Sequence, residues 1–515
     1  MSLLDDVSIM VTPNGVKSNV LFGVLPTPTE GSELVTNGNF ATDSDWTKGT
    51  GWTISGGSAN FDSSGQSDNA NISQSLGVDI SGIVNVDFTQ GDNAHYWNNG
   101  STNFKLTFTF TKTSGTDRIR VVTSGTSLFF RALNGDNLIG SIDNVSVKEY
   151  ISADMDFTRA STATRLDSSG DIVNVATGVP RLDYTGASCP HILVEPERTN
   201  TLTVSEPASG GTNVSFKTDF NALGFTNCIF FDGDKSVDRF FYQHGVPAST
   251  EVTLSFFVKM EDGSEPVVGG TVSSGDFGIV IGAGLVKPST GGVIHPNVYM
   301  GNNVWRVSAT RTTVGASSNN GPIKYDNSGV STKAFRVVGL QAEAGSYATS
   351  YIPTTGITVT RNQELFSKTG ISSLINNSEG VLYIEAKTTY DSSLSRRISL
   401  SDGTTDNRVS LEFDESVENK IKAFISFNNT DTELEYTASN LAQFNKIAIK
   451  YKVNDFAIYF NGSPVATESS GDIPTGMNQL VFNGGDGSNQ FFGQVRNIQV
   501  YKTALSPTQL AALTT

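Results

Sequence analysis

DFTRASTATRLDSSGDIVNVATGVPRLDYTGASCPHILVEPERTN, residues 156–200, divides the chain into two long stretches. Its apolar residues are sparse and its Thr, Ser, Asp and Arg are many, so it lacks the alternation of a strand pair with a clean core face. Arg159, Arg165 and Arg181 lie near Asp156, Asp167, Asp171 and Asp183 in sequence. Bidentate pairing of those guanidinium groups with the carboxylates is the expected means of fixing an irregular backbone. The segment 151–200 therefore reads as an organised connector, held by polar staples rather than by a core of its own.

Outward from the connector, both flanks carry strand grammar. Before it, residues 33–150 contain the alternating runs KLTFTFT at 105–111 and RIRVVT at 118–123, with one face for a core and one for solvent. After it, residues 201–362 carry VTLSFFVKM at 252–260, VWRVSAT at 304–310 and FRVVGLQ at 335–341. Residues 363–515 carry GVLYIEAKT at 380–388, KIAIKYK at 446–452, FAIYFN at 456–461 before the Gly462 turn, and FFGQVRNIQVY at 491–501. The fold class is all-β, tandem antiparallel β-sandwiches with almost no helix. One helix is expected at the end, where Ser506 stands as N-cap, Pro507 at the first helical position and Gln509 as the reciprocal partner of a capping box.

Residues 1–32 form a short leader. The alternating run 7–12, the turn Pro13-Asn14-Gly15 and the run 19–25 predict two strands too short to bury a face alone. Two readings stay open: an attachment segment for another subunit or particle surface, or a strand pair docked on its own chain.

Composition bounds the function. With 51 Gly, 31 Phe and only 17% charged residues, the chain suits short strands and tight turns, and 515 residues are too many for one core. A net charge of -16 with no basic run excludes a phosphate-tracking nucleic-acid surface. Two cysteines, Cys189 and Cys228, make no disulfide framework and are expected as free thiols. The start MSLLDD puts acids where an export signal needs positive charge, and no apolar run is long enough to span a bilayer.

Three segments resemble known families. ELVTNGNF at 33–40, GTGWTISGG at 49–57 and GSIDNVSVKEY at 140–150 resemble small jelly rolls of the carbohydrate-binding-module type, and residues 201–362 repeat that grammar as a second jelly roll. The FAIYFNG hairpin and GQVRNIQVYKTALS resemble the laminin-G or concanavalin A-like sandwich over residues 363–515. DFTRASTATR with VPRLDY and ILVEPERTN, followed by GLQAEAGSYATSYIPTTGITVTR at 339–361, is similar to a linker and module closure found in tailed-phage virion proteins. This last resemblance implies a structural and adhesive virion component: a tail fibre, tail-associated or capsid-decorating appendage. Such a protein is made in the host cytoplasm, meets other virion proteins through its leader, and is expected as a homo-oligomer, with a trimer among the states open. The alternatives are a glycan depolymerase of the virion and an exported bacterial glycan-binding protein.

No catalyst is expected. His95, His191, His244 and His295 are scattered without metal-type spacing or a nucleophile motif, and GGDGSNQ at 484–490 reads as a hairpin loop. LEFDE at 411–415 places Glu412 and Asp414 on one face of a strand, as paired carboxylate work requires. The second glutamate of the concanavalin A-like glucanase pattern is missing, because Ser416 and Val417 stand where it belongs. For a sugar platform the candidates are Tyr96 and Trp97, adjacent aromatics in GDNAHYWNNGS, and Trp46, which could face either way; Trp52 and Trp305 read as core. No cofactor is evident. A structural calcium would fall at Asp402 and Asp406 or at Asp232 and Asp234, although ordinary turn aspartates explain both pairs.

Overall fold

The computed structural model describes residues 6–26, 30–62, 70–91, 95–100, 103–108, 115–132, 139–150, 152–232, 239–243, 245–247, 249–269, 279–282, 292–312, 320–326, 333–388, 395–414 and 416–515. They divide into two compact units, Met1–Pro26 with Ala153–Thr515, and Thr27–Ser152. The architecture is all-β, and among the described residues the α-helix is Pro507–Thr514. No helix among them is long and apolar enough to cross a membrane. The first module is thus an insertion into a unit whose opening residues belong with its end.

In the inserted unit, the 22-residue strand Ala70–Gly91 pairs with Gly115–Ala132 on one side and Ile139–Tyr150 on the other, in a sheet of nine strands. Its core gathers Phe40, Trp46, Trp52, Phe61, Ile72, Leu128, Phe130 and Val147. Trp52 alternates with Ile54 inward along Trp52–Ser55, and its ring lies 5.0 Å from that of Phe61.

In the larger unit, residues 201–345 form a sandwich of a seven-stranded and a four-stranded sheet. The central strand Glu251–Met260 is buried along nearly its whole length because both its faces are covered. Leu254, Phe256 and Val258 point into the core between the sheets, where Ile279, Ile281 and Ile323 meet them. Phe257 points the other way, to Phe225, Val338, Tyr351 and Leu166 of the connector. Gly339 makes that second face fit: its φ is +63°, and a Cβ there would stand 2.7 Å from the Phe257 ring.

The last domain and the leader share one hydrogen-bonded sheet of sixteen strands. One layer contains Arg396–Ser401, Arg408–Phe413, Lys420–Phe427 and Thr430–Thr437; the other contains Gly493–Tyr501, Glu379–Lys387, Asn445–Lys452, Phe456–Phe460 and Ser463–Glu468. Between them runs a bridge of Leu365–Lys368, Met155–Thr158 of the connector, and the leader strands Val20–Val24 and Val7–Lys17. Both leader strands are paired on both sides, Val7–Lys17 with Gly493–Tyr501 and Val20–Val24 with Met155–Thr158. The leader strands are thus docked within their own chain. The hairpin turns at Ser18-Asn19, where Asn19 takes φ +61°, and the expected turn at Pro13–Gly15 lies instead within the irregular stretch between Val11 and Val16.

The closing helix carries the expected capping box: the Ser506 hydroxyl accepts the Gln509 N–H, and Gln509 Oε1 accepts the Ser506 N–H at 3.0 Å. Leu510 then inserts among Val7, Val381, Tyr383 and Tyr501, so helix and leader share one core. Fully burying an aliphatic side chain of this kind contributes about 1.5–3 kcal/mol.

The connector is stapled by charge, with partners other than the nearby aspartates. Arg181 donates from Nε to Glu364 Oε1 at 2.8 Å, from Nη2 to Glu195 Oε2 at 2.8 Å and from Nη1 to Ser350 Oγ at 2.6 Å. Arg159 Nη1 also reaches Glu364 Oε1, at 2.7 Å, and Arg361 Nη1 lies 2.9 Å from Glu195 Oε2. Burial would raise the Glu195 carboxyl, but Arg361 and Arg181 override it and hold the group well below the usual carboxylate range. Of the aspartates, Asp167 caps its own turn through the Ser169 and Asp171 N–H groups, and Asp183 accepts from the Leu166 and Thr185 N–H groups. Arg165 donates to the Leu182 carbonyl.

Candidate functional site

Three neighbouring strands of the last domain, Arg396–Ser401, Arg408–Phe413 and Lys420–Phe427, end at a shallow pocket of about 410 Å³ including its open mouth. Phe413, Asp414, Arg396 and Lys420 come from the strand ends, Glu418 and Asn419 from the turn between two of them, and Thr388 with Asn440, Leu441 and Ala442 from the segments opposite. The rim is fixed by its own hydrogen bonds. Thr388 N donates to the Leu441 carbonyl, Leu441 N to Asn419 Oδ1 at 2.9 Å, and Arg396 Nη1 to Thr388 Oγ1 at 2.6 Å, with the guanidinium lying over the Tyr347 ring. Asp414 Oδ1 accepts the Ser416 and Val417 N–H groups, and Lys422 Nζ stands 3.2 Å from Oδ2. Burial alone would raise the Asp414 carboxyl; the Ser416 and Lys422 contacts bring it down to about 2.

Residues 382–511, which include this pocket, match the family described as the concanavalin A-like lectin/glucanases superfamily. The C-terminal domain is a laminin-G-type, concanavalin A-like domain. Solved structures similar to parts of the chain include a Ruminococcus gnavus IT-sialidase CBM40, at 20% identity over 29% of this chain and 98% of that one, with a TM-score of 0.25. Mouse laminin alpha1 domains LG4-5 align at 11% identity over 54% of this chain and 92% of that one, TM-score 0.20. A heptameric pentraxin of Limulus polyphemus aligns at 14% identity over 27% and 70%, TM-score 0.22. No curated protein matches the sequence.

Within the concanavalin A-like domain, Glu412 and Asp414 do share a face of their strand, but they do different things. Glu412 pairs in register with Arg397 on one side and Lys422 on the other, and its carboxylate is gripped by Arg397 Nε and Nη2. Arg397 lies in turn over the Phe424 ring, 4.6 Å from its centroid. Glu412 is 4% exposed and is not part of the pocket wall. Burial pushes its carboxyl up, against the pull of Arg397. Glu415 lies outside the described residues.

Of the expected sugar platform, Trp46 is core. Its indole packs 5.0 Å from the Phe40 ring and 6.1 Å from Phe130, and its Nε1–H donates to the Asn37 carbonyl at 3.1 Å, which leaves no face for a ligand. Tyr96 and Trp97 fall in the strand His95–Gly100, and their side chains lie outside the described residues. Trp305, read as core from its alternation, is half-buried at the start of Val304–Thr312, and its ring lies 4.9 Å from that of Tyr299 on the neighbouring strand. Tyr299 is 48% exposed. Sequence alone gave no sign of this pair, since register decides it.

The calcium candidates fall only partly within the described residues. Asp402 is satisfied by the Thr404 N–H, the Thr404 hydroxyl and the Asn407 amide, as an ordinary turn aspartate, and Asp234 lies outside the described residues. Among the described residues no three His, Cys, Asp or Glu side chains converge as metal ligands. His191 is buried 3.4 Å from Asp183, and His295 hydrogen-bonds Thr310. The side chains of His95 and His244 are outside the described residues. Cys189 is exposed and Cys228 buried, both as free thiols.

Proposed function

We propose that this chain is a non-catalytic adhesive protein whose concanavalin A-like domain holds a surface glycan in the pocket of Arg396, Asp414, Lys420 and Asn440. The observation that carries the reading is the division of labour on one strand: Asp414 lines the pocket with its carboxylate taken up by Ser416, Val417 and Lys422, while Glu412 is locked to Arg397 away from its wall. A glycoside hydrolase needs two carboxyl groups that reach the bond being broken. Among the described residues the pocket is lined by Asp414, whose carboxylate is taken up by Ser416, Val417 and Lys422, and by Glu418 of the turn, while Glu412 is held off the wall, and we read this arrangement as one for binding.

The setting we propose is the virion of a tailed phage, as a tail or capsid appendage made without export and assembled as a homo-oligomer. Its support is the resemblance of residues 156–200 and 339–361 to virion proteins, together with the way those stretches meet: Arg181 and Glu195 of the first close on Ser350 and Arg361 of the second.

The test is a glycan array with the full chain, run beside a reducing-sugar assay on the glycans that bind. Binding that Lys420→Ala and Asn440→Ala abolish, with no sugar release, is the expected result. Release that Glu412→Gln eliminates would establish the depolymerase instead, and an array without any bound glycan would remove the adhesive reading. Detection of the chain in gradient-purified phage particles tests the setting separately.

A further inference from the structure

We propose that Tyr299 and Trp305 form a second glycan contact, on the sandwich of residues 201–345, that stacks a neutral pyranose ring. The proposal deepens the glycan-binding reading by adding a site away from the C-terminal pocket. Tyr299 lies on the short strand Val298–Gly301 beside Val304–Thr312, in register with Trp305, so the two rings project from the same side of the sheet. Their planes are tilted by 57°, and Tyr299 keeps about half of its surface open.

The reason for the exposure is positional. Trp305 lies on the same face of its strand as Val307 and Ala309, at the strand's beginning, and is half-buried with its indole Nε1 enclosed. The following turn, Gly301-Asn302-Asn303, has positive φ at all three residues and brings the strands together just past the rings. At the same end of the sandwich, Asn297 donates to Glu265 Oε1 at 2.9 Å and to the Pro266 carbonyl at 2.8 Å, and the Asn303 amide lies beside Gly263.

The half-exposed Tyr299 ring beside the half-buried Trp305 offers an apolar surface that the C–H face of a pyranose can cover. The area is that of one ring system. A stable protein partner covers roughly 800 Å² on each side, far more than this pair offers. Of the acids in the adjoining turn, Glu261 pairs with Arg336 and Asp262 with Lys333, so the charge there is balanced rather than basic, which suits a neutral sugar.

The experiment measures binding of cellohexaose, maltohexaose, mannohexaose and galactohexaose to the full chain by calorimetry, for the wild type, Tyr299→Ala, Tyr299→Phe and Lys420→Ala. Tyr299→Ala is expected to weaken at least one neutral oligosaccharide by roughly tenfold or more, as removal of an exposed anchor ring does, with Tyr299→Phe close to wild type and unfolding unchanged. Lys420→Ala should leave that component in place. If the wild type binds and Tyr299→Ala binds identically, the platform is refuted while the C-terminal pocket stands. If Tyr299→Ala changes the solution mass of the chain and not its sugar binding, the rings are a contact between copies and the proposal falls. No binding of any oligosaccharide by any variant overturns this site whether or not the pocket takes other glycans.

Discussion

The Arg181 guanidinium and the Glu364 carboxylate meet through two parallel hydrogen bonds, with both side chains fully buried and a sequence separation of 183. Arg159, Arg361 and Glu195 complete the cluster, so connector, module closure and the start of the last domain are fastened at one place. Charges removed from water in this way add little net stability, but they are costly to break one at a time, because the survivor stays buried without its counter-ion. They therefore act on which arrangement forms more than on how stable it is.

Replacing one partner tests this. Arg181→Met should cost about 3–5 kcal/mol in the unfolding free energy of the larger unit, measured by urea titration. Lys48→Met, which breaks the exposed pair with Asp43, should cost no more than about 1 kcal/mol. Equal effects of the two would mean that the buried cluster has no special hold.

The same cluster sets an acid limit. Burial pushes the Glu195 carboxyl up, Arg361 and Arg181 pull it down further, and the folded value lies below the unfolded value of 4.5. The stabilisation is then fully present above pH 4.5 and is lost progressively as pH falls below it. Glu195→Gln should be less stable than wild type at pH 7, and the gap should narrow as the pH is lowered through that window. A gap independent of pH would show that the Glu195 charge is not what holds the connector.

Much of the fold was legible because period-two alternation is local, as in 252–260 and 456–461, and because the Ser506 capping box is contained within a few residues. The staples were legible in kind but not in partner. Arginines in a stretch poor in apolar residues announce ion pairing, yet Glu195 and Glu364 were chosen by topology over the aspartates nearest in sequence. The leader's docking was hidden for the same reason, since Met10 pairs with Gln499 across nearly the whole chain. Trp305 takes the inward face that its alternation indicates and is half-buried there, since alternation tells which face a residue takes and not how completely it is covered.

Removal of residues 1–26 should destabilise the larger unit rather than merely detach it. Val7, Ile9, Val11 and Leu21 are essentially fully buried, and each contributes about 1.5–3 kcal/mol. The deletion also opens the edges of Gly493–Tyr501 and Met155–Thr158, which invites pairing between chains. Lower thermal stability and larger species in sedimentation are expected. A truncated chain that melts and sediments like the original would show that the leader's pairing adds nothing to the larger unit.

Trp46→Ala should behave as a core deletion, costing about 3–5 kcal/mol in the inserted unit. Its oligosaccharide binding should match wild type while the unit stays folded. Loss of sugar affinity without loss of stability would return Trp46 to the platform.

The Arg397–Glu412 pair separates structure from chemistry most sharply. Burial already pushes the Glu412 carboxyl above its ordinary value even with Arg397 in contact, so Arg397→Met leaves a buried acid that is favoured in its neutral form. A group whose folded pKa is raised costs stability as pH rises past its unfolded value of 4.5. Arg397→Met should therefore lose more stability relative to wild type at pH 7 than at pH 4, and adding Glu412→Gln should recover part of the loss at pH 7. Binding in the neighbouring pocket should survive in the double variant, because Glu412 is not part of its wall. If instead Glu412→Gln alone left stability untouched and abolished a sugar-releasing activity, the carboxyl would be a catalytic acid and its pairing with Arg397 a resting state.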